Sequence, residues 1–312
     1  MNTRQVVMIT TGGTAASRTT QDGAVPVLTG ADLLPPDLDH VSVQVVDLLN
    51  LDSSAMTVRD QFAVCVAIAE ALDNDDVDGV VVTHGTDTLE ETAFLADVFA
   101  VDPRPVVFTG AQYPSDDPMA DGPANIAAAL TLAAAEDNRG NGVQVALGGR
   151  VLPARGVFKL STTALEAFDS VNENLPRPLV AETVPGGLPA RVDLLALYPG
   201  VSPGLIAAAI AQRAAGIVLS ATGSGNTHPD ITAEVAQAHR RNVPVVVSTR
   251  VPYGEVEATY GGGGGGIDLV RAGAIFSPWL RAPQVRMALI ALLSTGASRS
   301  EIEDFFAASQ PS

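Results

Sequence analysis

Apolar positions along the chain form short continuous runs, separated by longer segments with helical spacing. The runs at 6–9, 41–46, 80–82, 105–109 and 143–147 are rich in β-branched residues and end in polar or glycine residues, as strands buried on both faces do. Helical patterns occupy 57–72, 89–100 and 123–136. In the first, Val58, Phe62, Cys65, Ala69 and Leu72 recur at alternating spacings of four and three, one apolar stripe. Pro123 suits a first helical turn. Strands alternating with helices, without hairpin turn signals, predict a large, mainly parallel sheet flanked by helices.

The alternation stops between about 171 and 191, where Pro176, Pro178, Pro185, Gly186, Gly187 and Pro189 cluster, and this stretch reads as a linker. It then resumes. Strands are expected at 192–198, 217–220 and 243–248, with helices at 204–214, 231–240, 283–293 and 300–308. The fold class is therefore α/β, with an N-terminal domain over 1–185 and a smaller C-terminal α/β domain over 192–312. Six consecutive glycines, Gly261 to Gly266, read as a mobile loop rather than an anion-binding nest, because no P-loop lysine or dinucleotide spacing accompanies them.

Hydrophobic residues make up 46% of the 312 positions and charged residues 17%, which places the chain among folded, core-rich proteins. The formal charge of −17 argues against nucleic acid and anionic membrane surfaces as partners. The single cysteine, Cys65, excludes an intrachain disulfide and reads as buried filler. No apolar run is long enough for a signal peptide or a membrane span, so the expected location is the cytoplasm. The basic set is seventeen arginines and one lysine, Lys159. Arginine holds its proton in proteins and lysine can lose it, so Lys159 is a candidate for chemistry.

The most informative stretch runs from Thr83 through His84, Gly85, Thr86 and Asp87 to Thr88 and Glu91. A β-branched strand ends there in hydroxyls, an imidazole and a carboxylate. Thr88 and Glu91 have the spacing of a capping box, which predicts a helix start. Thr86 and Asp87 then occupy the turn at the carboxyl edge of the sheet, where open α/β folds bind ligands. Thr10-Thr11-Gly12-Gly13-Thr14 and Asp52-Ser53-Ser54 are further polar groups after strands. A threonine hydroxyl becomes a nucleophile only when a base takes its proton and donors hold the oxyanion. Gly12 and Gly13 would let backbone N–H groups approach a reacting carbonyl. Asp87 could meet a substrate ammonium or orient a base. Lys159 could be that base if burial destabilises its charge, an effect an adjacent Asp87 opposes. Plainer readings exist: Ser53-Ser54 can cap the helix near Thr57, and Asp87 can complement a helix dipole. His84 reads as structural, with no His or Cys at ligand spacing.

Thr11-Gly-Gly-Thr-Ala15, His84-Gly-Thr-Asp-Thr-Leu-Glu-Glu91, Asp121-Gly-Pro-Ala-Asn125 and Gly223-Ser-Gly-Asn226 resemble, in order and spacing, the bacterial-type L-asparaginase family. The resemblance spans essentially the whole chain. It implies hydrolysis of L-asparagine, possibly also L-glutamine, with no metal or organic cofactor, in a homodimer or homotetramer. It implies Thr14 as the acylated nucleophile, with Thr86, Asp87 and Lys159 as the group that activates water or moves protons. Ser53 and Asp87 would hold the substrate carboxylate and α-ammonium, with Gly13 lining the same pocket. Asn226 would come from a neighbouring subunit. The tyrosine that the family carries in the loop after the first motif has no counterpart in residues 18–28. Tyr253 or Tyr260, beside the glycine run, are the candidates to replace it. A broader glutaminase-asparaginase and a non-catalytic amino-acid sensor are the alternative readings. A dinucleotide-dependent oxidoreductase lacks the glycine spacing.

Overall fold

The computed structural model describes residues 3–21, 23–36, 38 and 40–310, and the chain divides into two compact units, Met1–Ser170 and Val171–Ser312. The first is built on a six-stranded sheet in the order Val41–Leu51, Arg4–Gly12, Gly79–Thr83, Val106–Thr109, Val143–Leu147, Arg150–Pro153. The first four pairings are parallel and the last is antiparallel. Gly79–Thr83 is buried along its whole length, which explains its unbroken apolar character.

Alternation along the strands sends Val6, Met8, Val81 and Val107 to one face, where they pack with Ile126, Ala129 and Leu130 of the helix Gly122–Ala134. The helices Val58–Leu72 and Leu89–Asp97 pack against each other and also contact sheet strands. Thr57 caps the first of these through reciprocal bonds with Asp60, so Ser53 and Ser54 do not. Its buried stripe is Gln61, Phe62, Val64, Cys65, Ala67 and Ile68, and Ala69 faces solvent. This buried face is rotated from the expected stripe and takes in Gln61, which donates to the Thr92 hydroxyl at 3.1 Å. Cys65 is buried filler, and burial pushes its thiol up.

Hairpin turns do occur, against the sequence expectation. Gly148 and Gly149, both at positive φ, turn Val143–Leu147 directly into Arg150–Pro153. Two consecutive left-handed residues are what a two-residue hairpin turn requires. Ser17–Thr20 pairs antiparallel with Gly23–Pro26, and Val157–Lys159 with Phe168–Ser170.

The second unit holds a four-stranded parallel sheet in the order Val192–Ala196, Gly216–Ala221, Val245–Thr249, Ile275–Phe276. Ile217, Leu219, Val245 and Val247 meet Ile206, Ile231 and Val235 of the helices Leu205–Ala211 and Pro229–Arg240 in its core. Ala282–Ser294 and Arg299–Ala308 follow. Residues 171–191 belong to this unit and carry neither helix nor strand. The glycine run is not an open loop. Gly263 and Gly265 donate backbone N–H bonds to the Asp268 carboxylate at 2.7 and 3.1 Å, so the chain's own anion fills the nest they form. Among the described residues no helix is long and apolar enough to cross a membrane.

Candidate active site

The carboxyl ends of the three central strands finish on one polar row. Thr83 pairs in register with Thr10 on one side and Thr109 on the other. Beyond that row the backbone leaves the sheet in three turns, and the predicted residues of the first unit stand on or beside them.

The turns are joined through glycine. Gly13, at φ 75°, lies so close to the next turn that a Cβ on it would sit 2.5 Å from the Gly85 nitrogen. A Cβ on Gly85 would in turn sit 2.6 Å from Ser53 Oγ. Gly13 therefore stacks backbone on backbone against Gly85, Gly85 in turn packs against the Ser53 side chain, and the residues following the two glycines, Thr14 and Thr86, flank the contact. Thr14 opens the short 3-10 turn Thr14–Ala16. Ser53 opens another, Ser53–Ala55, and is buried.

The predicted capping box at Thr88 and Glu91 does not form. Thr88 Oγ1 donates instead to the Ser53 carbonyl at 2.9 Å, and the N-terminus of Leu89–Asp97 has no side-chain cap. A tertiary acceptor has taken the hydroxyl that local spacing assigned to the helix. The bond ties the Thr86-bearing turn to the Ser53 turn a second time.

Lys159 ends the strand Val157–Lys159 and reaches back across the site. Its Nζ stands 2.8 Å from Thr86 Oγ1 and 2.7 Å from Asp87 Oδ1. The Asp87 side chain is 64% exposed and that of Lys159 18%, so water screens the ion pair and its contribution to stability is small. Its effect is orientation. Glu90, one turn further along, accepts a bond from the Lys159 backbone N–H. Burial raises the Glu90 carboxyl to about 7; the Lys159 N–H pulls it down, neighbouring Glu91 pushes it up, and the charge of Lys159 lowers it.

His84 is fully enclosed beside Phe108, and burial lowers it to about 4 even though the bond with the Gly85 carbonyl raises it. That carbonyl can only accept, so Nδ1, at 2.8 Å, carries the proton of a neutral ring. His84 thus fixes the Gly85 peptide from below.

Hydroxyls at this edge fall into two sets. Those of Thr10, Thr11, Thr86, Thr88 and Thr109 all donate to oxygens of the protein. Those of Thr14 and Ser53 have no hydrogen-bond partner among the described residues, nor has the deeply buried Thr83 hydroxyl. Gln112, which no sequence motif singles out, accepts from Thr86 Oγ1 at 3.2 Å. Its only sequence signal is adjacency to the strand end at Thr109. Asp121 of the third motif closes the same turn, accepting from the backbone of Gln112 and Tyr113, and Asn125 bonds the Gly110 carbonyl at 3.0 Å.

Asn226 belongs to the second unit, where it closes a tight turn by exchanging backbone bonds with Thr222. Its side-chain oxygen is buried without a partner among the described residues. Tyr253 and Tyr260 also lie in that unit, both exposed. The paired strands Ser17–Thr20 and Gly23–Pro26 follow Thr14. No group of three or more described His, Cys, Asp or Glu residues could hold a metal ion.

Comparison with known proteins finds relatives along nearly the whole chain. The family described as "Asparaginase, N-terminal" matches residues 5–183, and "Glutaminase/Asparaginase C-terminal domain" matches residues 191–306. A probable L-asparaginase of Deinococcus radiodurans is 35% identical, covering 97% of each chain. An L-asparaginase of Bacillus licheniformis is 34% identical over 94% of this chain and 96% of its own. Among solved structures, a probable cytoplasmic L-asparaginase from Campylobacter jejuni superposes with a TM-score of 0.87 at 27% identity, covering 97% of this chain and 99% of that one.

Proposed function

The chain belongs to the asparaginase family, and from that premise we propose that it hydrolyses L-asparagine to L-aspartate and ammonia through an acyl-enzyme on Thr14. The observation that carries this reading is the glycine contact, which sets Thr14 and Thr86 on facing turns with Ser53 beside them. The uncommitted hydroxyls of Thr14 and Ser53 are the groups left for a substrate.

In this mechanism Thr14 Oγ1 adds to the side-chain amide carbon. The C–N bond breaks, the departing nitrogen takes the hydroxyl proton, and an ester to Thr14 remains. Water held by Thr86 then attacks the ester. Its proton passes toward the Thr86 and Lys159 pair, and the Thr14 oxygen leaves with a proton restored. Ser53 receives the substrate carboxylate at the start of its turn, and the exposed oxygen of Asp87 receives the α-ammonium. Gly13 keeps the floor between them free of side chains. Asn226 would complete the site from a neighbouring subunit of a homodimer or homotetramer, and we place the enzyme in the cytoplasm.

Ammonia release from both amides tests the reading. Thr14→Ala and Lys159→Met should each lower kcat for asparagine by at least about 10³-fold, and full activity in either would sink the mechanism. The ratio of kcat/KM for asparagine over glutamine separates a strict asparaginase from a broader one, since one methylene in a closed pocket gives roughly 10–200-fold. The hairpin Ser17–Thr20 and Gly23–Pro26 carries no tyrosine, which favours one other reading, an amino-acid sensor. Calorimetric binding of aspartate with no ammonia from either amide would select it.

A further inference from the structure

Gln112 fixes the direction of the Thr86 hydroxyl through its own pattern of donor and acceptor. Its side-chain amide stands between Thr86 Oγ1 at 3.2 Å and the Ala164 carbonyl at 3.0 Å. A carbonyl oxygen only accepts, so the amide nitrogen faces Ala164 and Oε1 faces Thr86. Oε1 also only accepts. Thr86 must therefore direct its single hydrogen at Gln112, and Lys159 Nζ is the donor in its own 2.8 Å contact with Thr86. The turn that carries Gln112 is held in place, because its backbone N–H donates to both Asp121 oxygens at 3.0 and 3.1 Å.

This arrangement distinguishes the two forms of the lysine. An ammonium offers only hydrogens, so the Thr86 hydrogen must point elsewhere, and Gln112 accepts it. A neutral amine offers a lone pair, toward which the Thr86 hydrogen would turn, leaving Gln112. The Gln112 bond is thus made in the cationic state and given up in the neutral one. We propose that Gln112 is a positioning residue that parks the Thr86 hydroxyl hydrogen away from Lys159 and so favours the ammonium, setting the pH at which the pair becomes able to take a proton. The proposal rests on the reading of Thr86 and Lys159 as the proton-transfer pair. The other charged groups facing Lys159 are Asp87 at Nζ and Glu90 at its backbone N–H, with Glu91 beside Glu90, and all three stay unchanged in the variants below.

Because Lys159 is the chain's only lysine, labelling lysine Cε with carbon-13 gives one resonance that needs no assignment. Its titration is followed by NMR in the unsubstituted full chain, in Gln112→Leu and in Gln112→Glu. The leucine variant strands the Thr86 hydrogen beside the ammonium, so the midpoint moves to lower pH. The glutamate variant adds a negative charge, so the midpoint moves up, by on the order of one pH unit. Both variants lose the Ala164 bond alike, so a merely structural role shifts both midpoints the same way or neither. Coincident midpoints, or shifts of the same sign, overturn the proposal. The acidic limb of kcat/KM for asparagine is measured in parallel and should follow the midpoints. Opposite shifts with no ammonia from either amide in the unsubstituted protein would uphold the role of Gln112 and reject the proposed reaction.

Discussion

Glu90 sits with its carboxyl raised to about 7 by burial, directly behind the lysine that the site depends on. The sign of its effect follows from linkage. Relative to an unfolded value near 4.5, the folded protein binds this proton more tightly. The resulting stabilisation is full below that pH and is lost as pH rises toward 7. A shift of this size corresponds to about 3 kcal/mol. Glu90→Gln should therefore remove a pH-dependent part of the stability, and the fall in Tm between pH 5 and pH 8 should shrink by several degrees in the variant. An unchanged pH dependence of Tm would show that Glu90 is ionised throughout. Lys159 and Glu90 also illustrate what single residues disclose in advance. Lys159 was conspicuous as the one lysine of the chain, whereas Glu90 looked like any first-turn acid. Gln112 gave no local sign either, because its role depends on a carbonyl at Ala164, far along the chain.

The turns at the sheet edge behave as units, and the Gly13, Gly85 and Ser53 contact is where they are coupled. Gly85→Ala would drive a Cβ into Ser53 and push the Ser53 and Thr86 turns apart. Displacement near 1 Å at a reacting centre costs about 10²-fold, so kcat for asparagine should fall by that order with a loss of about 1–3 kcal/mol in stability. Steady-state kinetics and urea unfolding on the same sample check both, and wild-type kcat in the alanine variant would show the contact to be dispensable. Strands and helices were largely legible because apolar runs and helical spacing respond to burial. Val80, Val81 and Val82 announce a central strand wherever they are met. The hairpin at Gly148-Gly149 was missed because the short run Arg150–Pro153 that follows the dipeptide was not read as a strand. Ile275–Phe276 is too short for any periodicity. The capping box failed for a different reason: Thr88 had a better acceptor in the Ser53 carbonyl, and no window on the local sequence contains it.

Across the whole chain, thirty-five acidic residues against eighteen basic ones leave a charge of −17. Asp97 and Arg155 form one buried pair, with both side chains 1% exposed. Self-repulsion of this size is screened by salt, so raising ionic strength from about 0.02 to 0.3 M should raise Tm by roughly 2–4 °C, read by calorimetry near pH 7.5. A Tm independent of salt would place the acidic residues too far apart to interact. The division into two α/β units followed from a change in composition. What composition could not convey is how a site arises from stretches as separate as residues 13, 53, 85 and 159.

The backbone stack beneath the pocket has a consequence for anyone wishing to redesign this protein. Its spacing is set by peptide atoms where Gly13 meets Gly85 and by Ser53 Cβ and Oγ where Gly85 meets Ser53, so no larger residue can be introduced at Gly13 or Gly85 without dismantling it. Libraries aimed at new amide substrates should leave those positions and Ser53 untouched. They should place their diversity in the strands Ser17–Thr20 and Gly23–Pro26, where side chains can be changed while the floor stays level.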